Sequence, residues 1–338
     1  MKNILLKIQR SETLSREEME NCMRNIMEGH WEDTQIAAFL MGLSLRGETV
    51  DEITGAAKIM REKALHINAP ANAVDCCGTG GDGQSTYNIS TAVAILGAAC
   101  GVPMAKHGNR AASSKSGAAD VLESLGANLD CTKEKLEKAL QRYNFAFLMA
   151  PKHHSAMKYV VPVRKALGVR TIFNLLGPLA NPAGTKRQLI GVYDPKWLTP
   201  FAHALKNLGT EKAWIVCGEN GMDEITTTGK THLAILENGQ ISERTLTPAD
   251  FGLSISNIED LRGGDAQTNA NALKAILSGQ KNAYRDIVLA NTAAVLMIAE
   301  KCTNLKEGVK LASDTLDSGK ALETLNAYIA FTRSGAPT

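Results

Sequence analysis

The chain reads as an α/β protein, with a small all-helical unit leading into a large α/β domain built on a mostly parallel central sheet. Three observations predict this. Residues 1–68 carry helical periodicity and helix-capping signals without strand-like alternation. From Ala73 onward, short apolar runs alternate with helical segments, the pattern of parallel strands joined by helical crossovers. Asn238-Gly239 sits between two alternating runs and marks a type I′ hairpin, whose two central residues both need positive φ.

In the helical unit, Ser15-x-x-Glu18 is a capping box, and Met19, Cys22, Met23, Ile26 and Met27 share one face before Gly29 stops the helix. Thr34 to Arg46 is a second helix closed by Gly47. Thr49-x-x-Glu52 opens a third, with Ile53, Ala56, Ala57 and Met60 inward. The α/β part then runs strand Ala73–Cys77, helix Ser90–Cys100, strand Val102–Ala105, helices Ala118–Leu125 and Thr132–Tyr143, and strand Phe145–Met149. A helical interlude from Val161 to Leu179 ends at Gly177-Pro178 and Asn181-Pro182. Strands Gln188–Val192 and Ala213–Cys217 flank helix Trp197–Leu208, the hairpin His232–Glu237 and Gln240–Leu246 follows, and four helices occupy the chain from Ala266.

Composition excludes several classes. A net charge of +2 supplies no basic field for nucleic acid or an anionic membrane surface. Apolar runs are broken well short of a membrane span, and Met1–Arg10 lacks the apolar region of a secretory signal. The seven cysteines are scattered, and adjacent Cys76 and Cys77 suit neither an ordinary bridge nor a zinc knuckle, so free thiols in a reducing cytoplasm are expected.

Chemistry concentrates in a few stretches. Gly78-Thr79-Gly80-Gly81-Asp82 follows a strand, where glycines let backbone N–H groups turn toward an anion with no Cβ in the way. Gly78, Gly80 and Gly83 also fit G-x-G-x-x-G, but Gln84 to Ile89 delay the helix and the next strand ends in Lys106-His107 rather than an acid, against a dinucleotide site. Asn88-Ile89-Ser90-Thr91 opens a helix whose free N–H groups favour anions, capped by Asn88 or Ser90. Lys106-His107-Gly108-Asn109-Arg110-Ala111 and Ser113-Ser114-Lys115-Ser116-Gly117 place positive charge among small residues. On its own this would be a solvated turn; at the carboxyl end of a strand it suits a polyanionic ligand such as a sugar diphosphate. Asp223-Glu224, in a glycine-rich loop after a strand, suits Mg²⁺, which takes one or two carboxylates plus substrate phosphate oxygens. No zinc spacing and no nucleophile triad is present.

Taken in order and spacing, Gly78–Gly83, Asn88–Thr91, Lys106–Ser116, Arg170–Pro178, Gly221–Glu224 and Leu261–Ala266 resemble the anthranilate phosphoribosyltransferases. The resemblance implies a nucleoside phosphorylase/phosphoribosyltransferase-like fold in which residues 1–68 and 160–182 form a small helical dimerisation domain. Residues 69–159 and 183–338 then form the large α/β domain. It implies transfer of 5-phosphoribosyl from phosphoribosyl diphosphate to anthranilate in tryptophan biosynthesis, with two Mg²⁺ ions, a homodimer, and no nucleic-acid or membrane partner. Carried over by position, Gly78, Gly81, Asp82, Thr86, Asn88, Ile89, Ser90, Thr91, Lys106, His107, Gly108, Asn109, Arg110, Ala111, Ala112, Ser113, Ser114 and Ala118 would hold phosphoribosyl diphosphate. Gly78, Asn109 and Arg164 would contact anthranilate, and Ser90, Asp223 and Glu224 would bind metal. No residue is expected to act as a covalent or strong acid–base catalyst; Lys106 and the metal would stabilise charge. Ala118 departs from the serine common there in the family and removes one hydroxyl contact. Pyrimidine nucleoside phosphorylases share the fold but carry Ser-Gly-Arg-Gly at the basic loop. A non-catalytic nucleic-acid-binding paralogue is opposed by the intact glycine loop and the small net charge.

Overall fold

A computed structural model of the protein describes residues 1–111 and 115–335. Four helices open the chain: α1 (Lys2–Gln9), α2 (Arg16–Met27), α3 (Asp33–Arg46) and α4 (Val50–Glu62). The two expected capping boxes form, with Ser15 Oγ accepting from the Glu18 N–H at 3.2 Å and Glu18 Oε2 accepting from the Ser15 N–H at 2.9 Å. At the second box Glu52 is fully buried and also accepts from the Leu14 N–H at 2.8 Å and from Arg46 Nη2 at 2.5 Å. That buried carboxylate is therefore met by a cation and by backbone donors, which burial of a charge requires. Helix α1 is additional to the three helices expected, and only Ile8 on it is buried, too weak a stripe to stand out in sequence.

The α/β part runs β1 (Val74–Gly78), α5 (Ile89–Ala99), β2 (Met104–Gly108), α6 (Ala118–Ser124), α7 (Lys133–Tyr143) and β3 (Phe145–Met149). The interlude is not one helical stretch. After a short α8 (Ala150–His153), it consists of α9 (Val161–Leu167) and α10 (Phe173–Leu176), with Gly168 at φ +65° ending α9. Then follow β4 (Arg187–Gly191), α11 (Leu198–Asn207), β5 (Lys212–Gly218), β6 (Thr231–Glu237), β7 (Gln240–Leu246), α12 (Ala266–Leu277), α13 (Ala283–Ile298), α14 (Leu305–Asp317) and α15 (Lys320–Arg333). Asn238 and Gly239 turn the hairpin at φ +51° and +73°, as a type I′ turn demands.

The seven strands lie in the order β3-β2-β1-β4-β5-β6-β7, parallel through β5 and antiparallel in the last two. Alternate side chains serve the two faces. Cys76, Leu189 and Trp214 pack with α5, α13 and the other C-terminal helices, while Ile190, Ile215 and Cys217 pack with α11. The second core runs on without a break through Phe201 of α11 into Met19, Phe39 and Leu40 of the N-terminal helices and Val163 and Phe173 of the interlude. The helical unit is thus seated on the sheet by shared apolar packing.

One strand differs usefully from expectation. The strand expected over Val102–Ala105, with Lys106-His107 at its end, instead runs from Met104 to Gly108, so Lys106 and His107 lie inside it at 1% and 5% exposure. Charge breaks the apolar run in sequence. In the fold the Lys106 ammonium donates to the Cys76 carbonyl at 2.8 Å and Ser90 Oγ at 3.1 Å, and this makes its burial tolerable. Among the described residues no helix is long and apolar enough to cross a membrane.

Candidate active site

The strand order reverses between β1 and β4, because β2 and β3 lie on one side of β1 and the later strands on the other. Crevices at the carboxyl ends of such strands are where open α/β sheets bind ligands. Here those ends are Gly78 and Gly191, directly paired in register. Asp223 fills the space beside both: a Cβ on Gly78 would lie 2.2 Å from Asp223 Oδ2, and one on Gly191 only 1.5 Å from the Asp223 carbonyl oxygen. Glycine at both strand ends is what admits the Asp223 loop to the crevice. Gly191 escaped the sequence reading; its signal is a glycine closing a strand that faces a glycine on its neighbour.

Gly80, Gly81 and Gly83 hold φ of +67°, +72° and +74°, turning the loop into a concavity of N–H groups. Gly80 donates to Asp223 Oδ2 at 2.7 Å. The space at its Cβ position is open, so the demand at Gly80 is the backbone conformation rather than clearance. Thr79 ties the loop to β4, its N–H donating to the Gly191 carbonyl at 3.0 Å and its Oγ1 accepting from the Tyr193 N–H at 3.2 Å. Arg170 reaches across from the interlude, donating Nη2 to the Gly81 carbonyl and stacking on the Tyr193 ring at 3.9 Å from its centroid.

Asp82, Asp223 and Glu224 form the acidic mouth of this crevice. Burial and the neighbouring Asp82 push the Asp223 carboxyl up to about 7. Glu224 is raised well above the usual carboxylate range by burial and then by Asp223, with Lys106 opposing, and Asp82 is raised by burial. Among the described residues no three His, Cys, Asp or Glu side chains converge as a ready-made metal cage. Yet three carboxyls whose ionised forms are disfavoured by burial are a donor set that a divalent cation would relieve, and Mg²⁺ needs only one or two of them when phosphate oxygens complete its shell.

The opening turn of α5 faces the same mouth. Asn88 occupies the cap position but makes no side-chain cap bond. Its amide instead donates to the Ser116 carbonyl at 3.2 Å and accepts from Asn269 Nδ2 at 2.8 Å, while Tyr284 Oη donates to its carbonyl at 3.3 Å. The first N–H groups of the helix are left for other acceptors, and that of Ser90 bonds the Glu224 carboxyl. Ile89 packs in the core, so only its backbone can face a ligand, and the buried Thr91 Oγ1 has no partner among the described residues. Thr86 pairs with Arg262 in an isolated bridge that braces the loop.

Past Lys106, the His107 N–H donates to Asp75 Oδ1 at 3.1 Å, and its Nδ1 lies 3.2 Å from the Gly177 carbonyl. Its ring meets His154 at 5.2 Å between centroids. Burial, with the neighbouring histidines, pushes His107 down to about 3 and His154 down to about 4. Asn109 is exposed at the end of β2, and its carbonyl accepts from the Ala119 N–H at 3.2 Å. Arg110 is turned onto Asp120 and Glu123. The Ala111 N–H bonds Asp120 at 3.0 Å, and Ala118 packs beside Gly108. Ala112, Ser113 and Ser114 lie outside the described residues.

Arg164, on α9, stands apart from this cluster. Its half-buried guanidinium lies over the Phe173 ring at 5.7 Å, burial lowers its pKa, and its side chain has no ion pair or hydrogen bond among the described residues.

The two parts of the chain match models of one family. The glycosyl transferase family a/b domain matches residues 70–322, and the family's helical bundle domain matches residues 2–64. The anthranilate phosphoribosyltransferase of Agrobacterium fabrum is 52% identical over 98% of this chain and 96% of its own length. The chain belongs to the anthranilate phosphoribosyltransferase family. As a member of it, the protein is a glycosyl-transferring enzyme. The crystal structure of the Thermus thermophilus anthranilate phosphoribosyltransferase superposes with a TM-score of 0.93 at 42% identity, covering 98% of this chain and 99% of that one. The Saccharomyces cerevisiae enzyme, solved in complex with PRPP and Mg, gives 0.90 at 29% identity, covering 98% of each chain.

Proposed function

We infer that the protein transfers the 5-phosphoribosyl group from phosphoribosyl diphosphate to the amine of anthranilate, releasing diphosphate in tryptophan biosynthesis. The observation that carries this is the crevice between β1 and β4, where a nest of glycine N–H groups lies beside Asp82, Asp223 and Glu224. Family relatives are named for this reaction, and one was solved with PRPP and Mg.

An aryl amine is neutral near pH 7, so its lone pair can form the bond to C1 without a strong base. As that bond forms, the C1–O bond to diphosphate breaks, and the nitrogen then sheds a proton. The demanding part is negative charge growing on the departing diphosphate. The Gly81 and Gly83 N–H groups, the α5 N-terminus and Lys106 are the donors and positive charge that would meet it. Asp223 and Glu224, with Ser90, would hold Mg²⁺, two ions in this reading, and bound Mg²⁺ supplies charge stabilisation to the leaving group. Arg164 would take the anthranilate carboxylate in two parallel charge-assisted bonds, with Gly78 and Asn109 beside the acceptor. The 1–68 and 160–182 segments would act together as the small domain of a cytoplasmic homodimer, consistent with exposed Leu6 and Leu45 on α1 and α3 and with seven free cysteines.

The test is loss of anthranilate fluorescence on mixing the protein with phosphoribosyl diphosphate and Mg²⁺. Steady loss dependent on all three components is expected. Unchanged fluorescence from folded protein would overturn the reading.

A further inference from the structure

We propose that Arg170 is a positioning residue that sets the diphosphate-binding face of the glycine loop by holding one peptide plane, Gly81–Asp82, in a fixed orientation. This rests on the function inferred above. A trans peptide points its C=O and N–H in opposite directions, and no cis bond occurs among the described residues. Arg170 Nη2 donates to the Gly81 carbonyl on the interlude side of the loop. The Asp82 N–H is thereby turned the other way, toward its own carboxyl and the Asp223 mouth. Gly81 at φ +72° has no side chain to resist a flip of that plane, and glycine visits both signs of φ with little cost. Without an external clamp the plane could rotate and present a carbonyl oxygen to the diphosphate.

The clamp is itself held on two sides. The guanidinium lies over the Tyr193 ring at 3.9 Å from its centroid, and the Tyr193 N–H bonds Thr79 Oγ1 at 3.2 Å, at the other end of the same loop. The Arg170 carbonyl accepts from Ser44 Oγ on α3 at 3.0 Å. Residue 170 therefore joins three pieces: the N-terminal helices, the segment after β4 and the glycine loop. A planar fork that stacks and donates at once is a task for arginine; a lysine ammonium offers a point charge without the stacking plane.

The experiment is steady-state kinetics of Arg170→Ala, Arg170→Lys, Tyr193→Ala and Tyr193→Phe, with thermal unfolding of each. Removing a charge-assisted contact predicts a KM for phosphoribosyl diphosphate raised about tenfold or more in Arg170→Ala, with the anthranilate KM within about twofold and unfolding near wild type. Arg170→Lys should recover part of the loss, Tyr193→Ala should follow Arg170→Ala, and Tyr193→Phe should stay near wild type because the ring remains. A wild-type KM for phosphoribosyl diphosphate in Arg170→Ala overturns the proposal. So does a rise confined to anthranilate, which would make Arg170 an acceptor-binding group. If Arg170→Ala does not fold, full recovery in Arg170→Lys overturns it and partial recovery sustains it. A wild-type protein without turnover would instead sink the inferred reaction, leaving isothermal titration with diphosphate and Mg²⁺ to read the clamp directly.

Discussion

The mouth between β1 and β4 and the segment around Arg164 are charged in opposite senses. At the mouth, Asp82, Asp223 and Glu224 crowd together, and burial raises the pKa of each above the ordinary carboxylate range. Around the interlude, Arg164 lies half-buried with no counter-ion among the described residues, and burial holds His107 and His154 neutral. One region wants a cation and the other an anion. Desolvation is already in place on both sides, so each incoming partner meets groups that gain from its charge.

The largest break in this comparison comes from the acidic side. Asp223→Asn with Glu224→Gln should lower kcat by about a hundredfold or more, since transition-state charge stabilisation of several kcal/mol is lost. The same change removes mutual repulsion between buried carboxyls, so thermal unfolding should stay level or move upward. A double mutant with normal turnover across a Mg²⁺ titration would refute the metal assignment.

Arg164→Ala tests the opposite pole. Loss of a charge-assisted carboxylate contact is worth roughly 1.5–3 kcal/mol, about ten- to a hundredfold in the anthranilate KM. Steady-state kinetics should show the KM for phosphoribosyl diphosphate nearly unmoved and Arg164→Lys intermediate. A shift in the diphosphate substrate instead would reassign the residue.

Acid distinguishes the regions by sign. His107 and His154 have pKa values depressed in the fold to about 3 and about 4, below the ordinary 6.5, so only the unfolded chain takes up protons as pH falls through 6.5. Their contribution to stability is intact above about 6.5 and declines as pH falls toward about 4. Asp223 and Glu224, raised in the fold, act in the opposite sense over the same range, so the histidine share is read as a difference: on going from pH 7.5 to pH 5 the unfolding midpoint of His154→Gln should move upward relative to that of wild type. A mutant whose midpoint keeps the same offset from wild type at both pH values would show that His154 is not the titrating group.

The smallest effect is expected at Ala118, beside Gly108. Ala118→Ser restores a hydroxyl on the basic-loop side, and one added neutral hydrogen bond, about 0.5–1.5 kcal/mol, should lower the KM for phosphoribosyl diphosphate by a few-fold at most. A rise would mean that the hydroxyl finds no partner and crowds the loop.

The parts of this architecture legible in sequence are those whose cause is local. Both capping boxes, the Asn238-Gly239 turn and the positive-φ glycines declare themselves within a few residues. The rest depends on partners far along the chain. Lys106 can stay inside β2 only because Cys76 and Ser90 receive its ammonium, and Gly191 matters only because Asp223 is folded against it. The Arg170 contact to Gly81 spans 89 residues and has no sequence signature at all. The Asp223-Glu224 pair stands out in sequence, whereas the approach of Asp82 to Asp223 required the fold to bring their loops together.

The apolar core that runs from Met19 through Phe201 to Ile215 has a consequence for how the chain is made. The ribosome finishes α4 at Glu62, but Phe173 of the interlude and Phe201 of α11, which share its core, come more than a hundred residues later. At about 5–20 residues per second that interval lasts roughly 5–30 s. Throughout it, the apolar faces of the nascent N-terminal helices that later meet Phe173 and Phe201 stay exposed to water, so this unit completes its packing only after α11 has emerged.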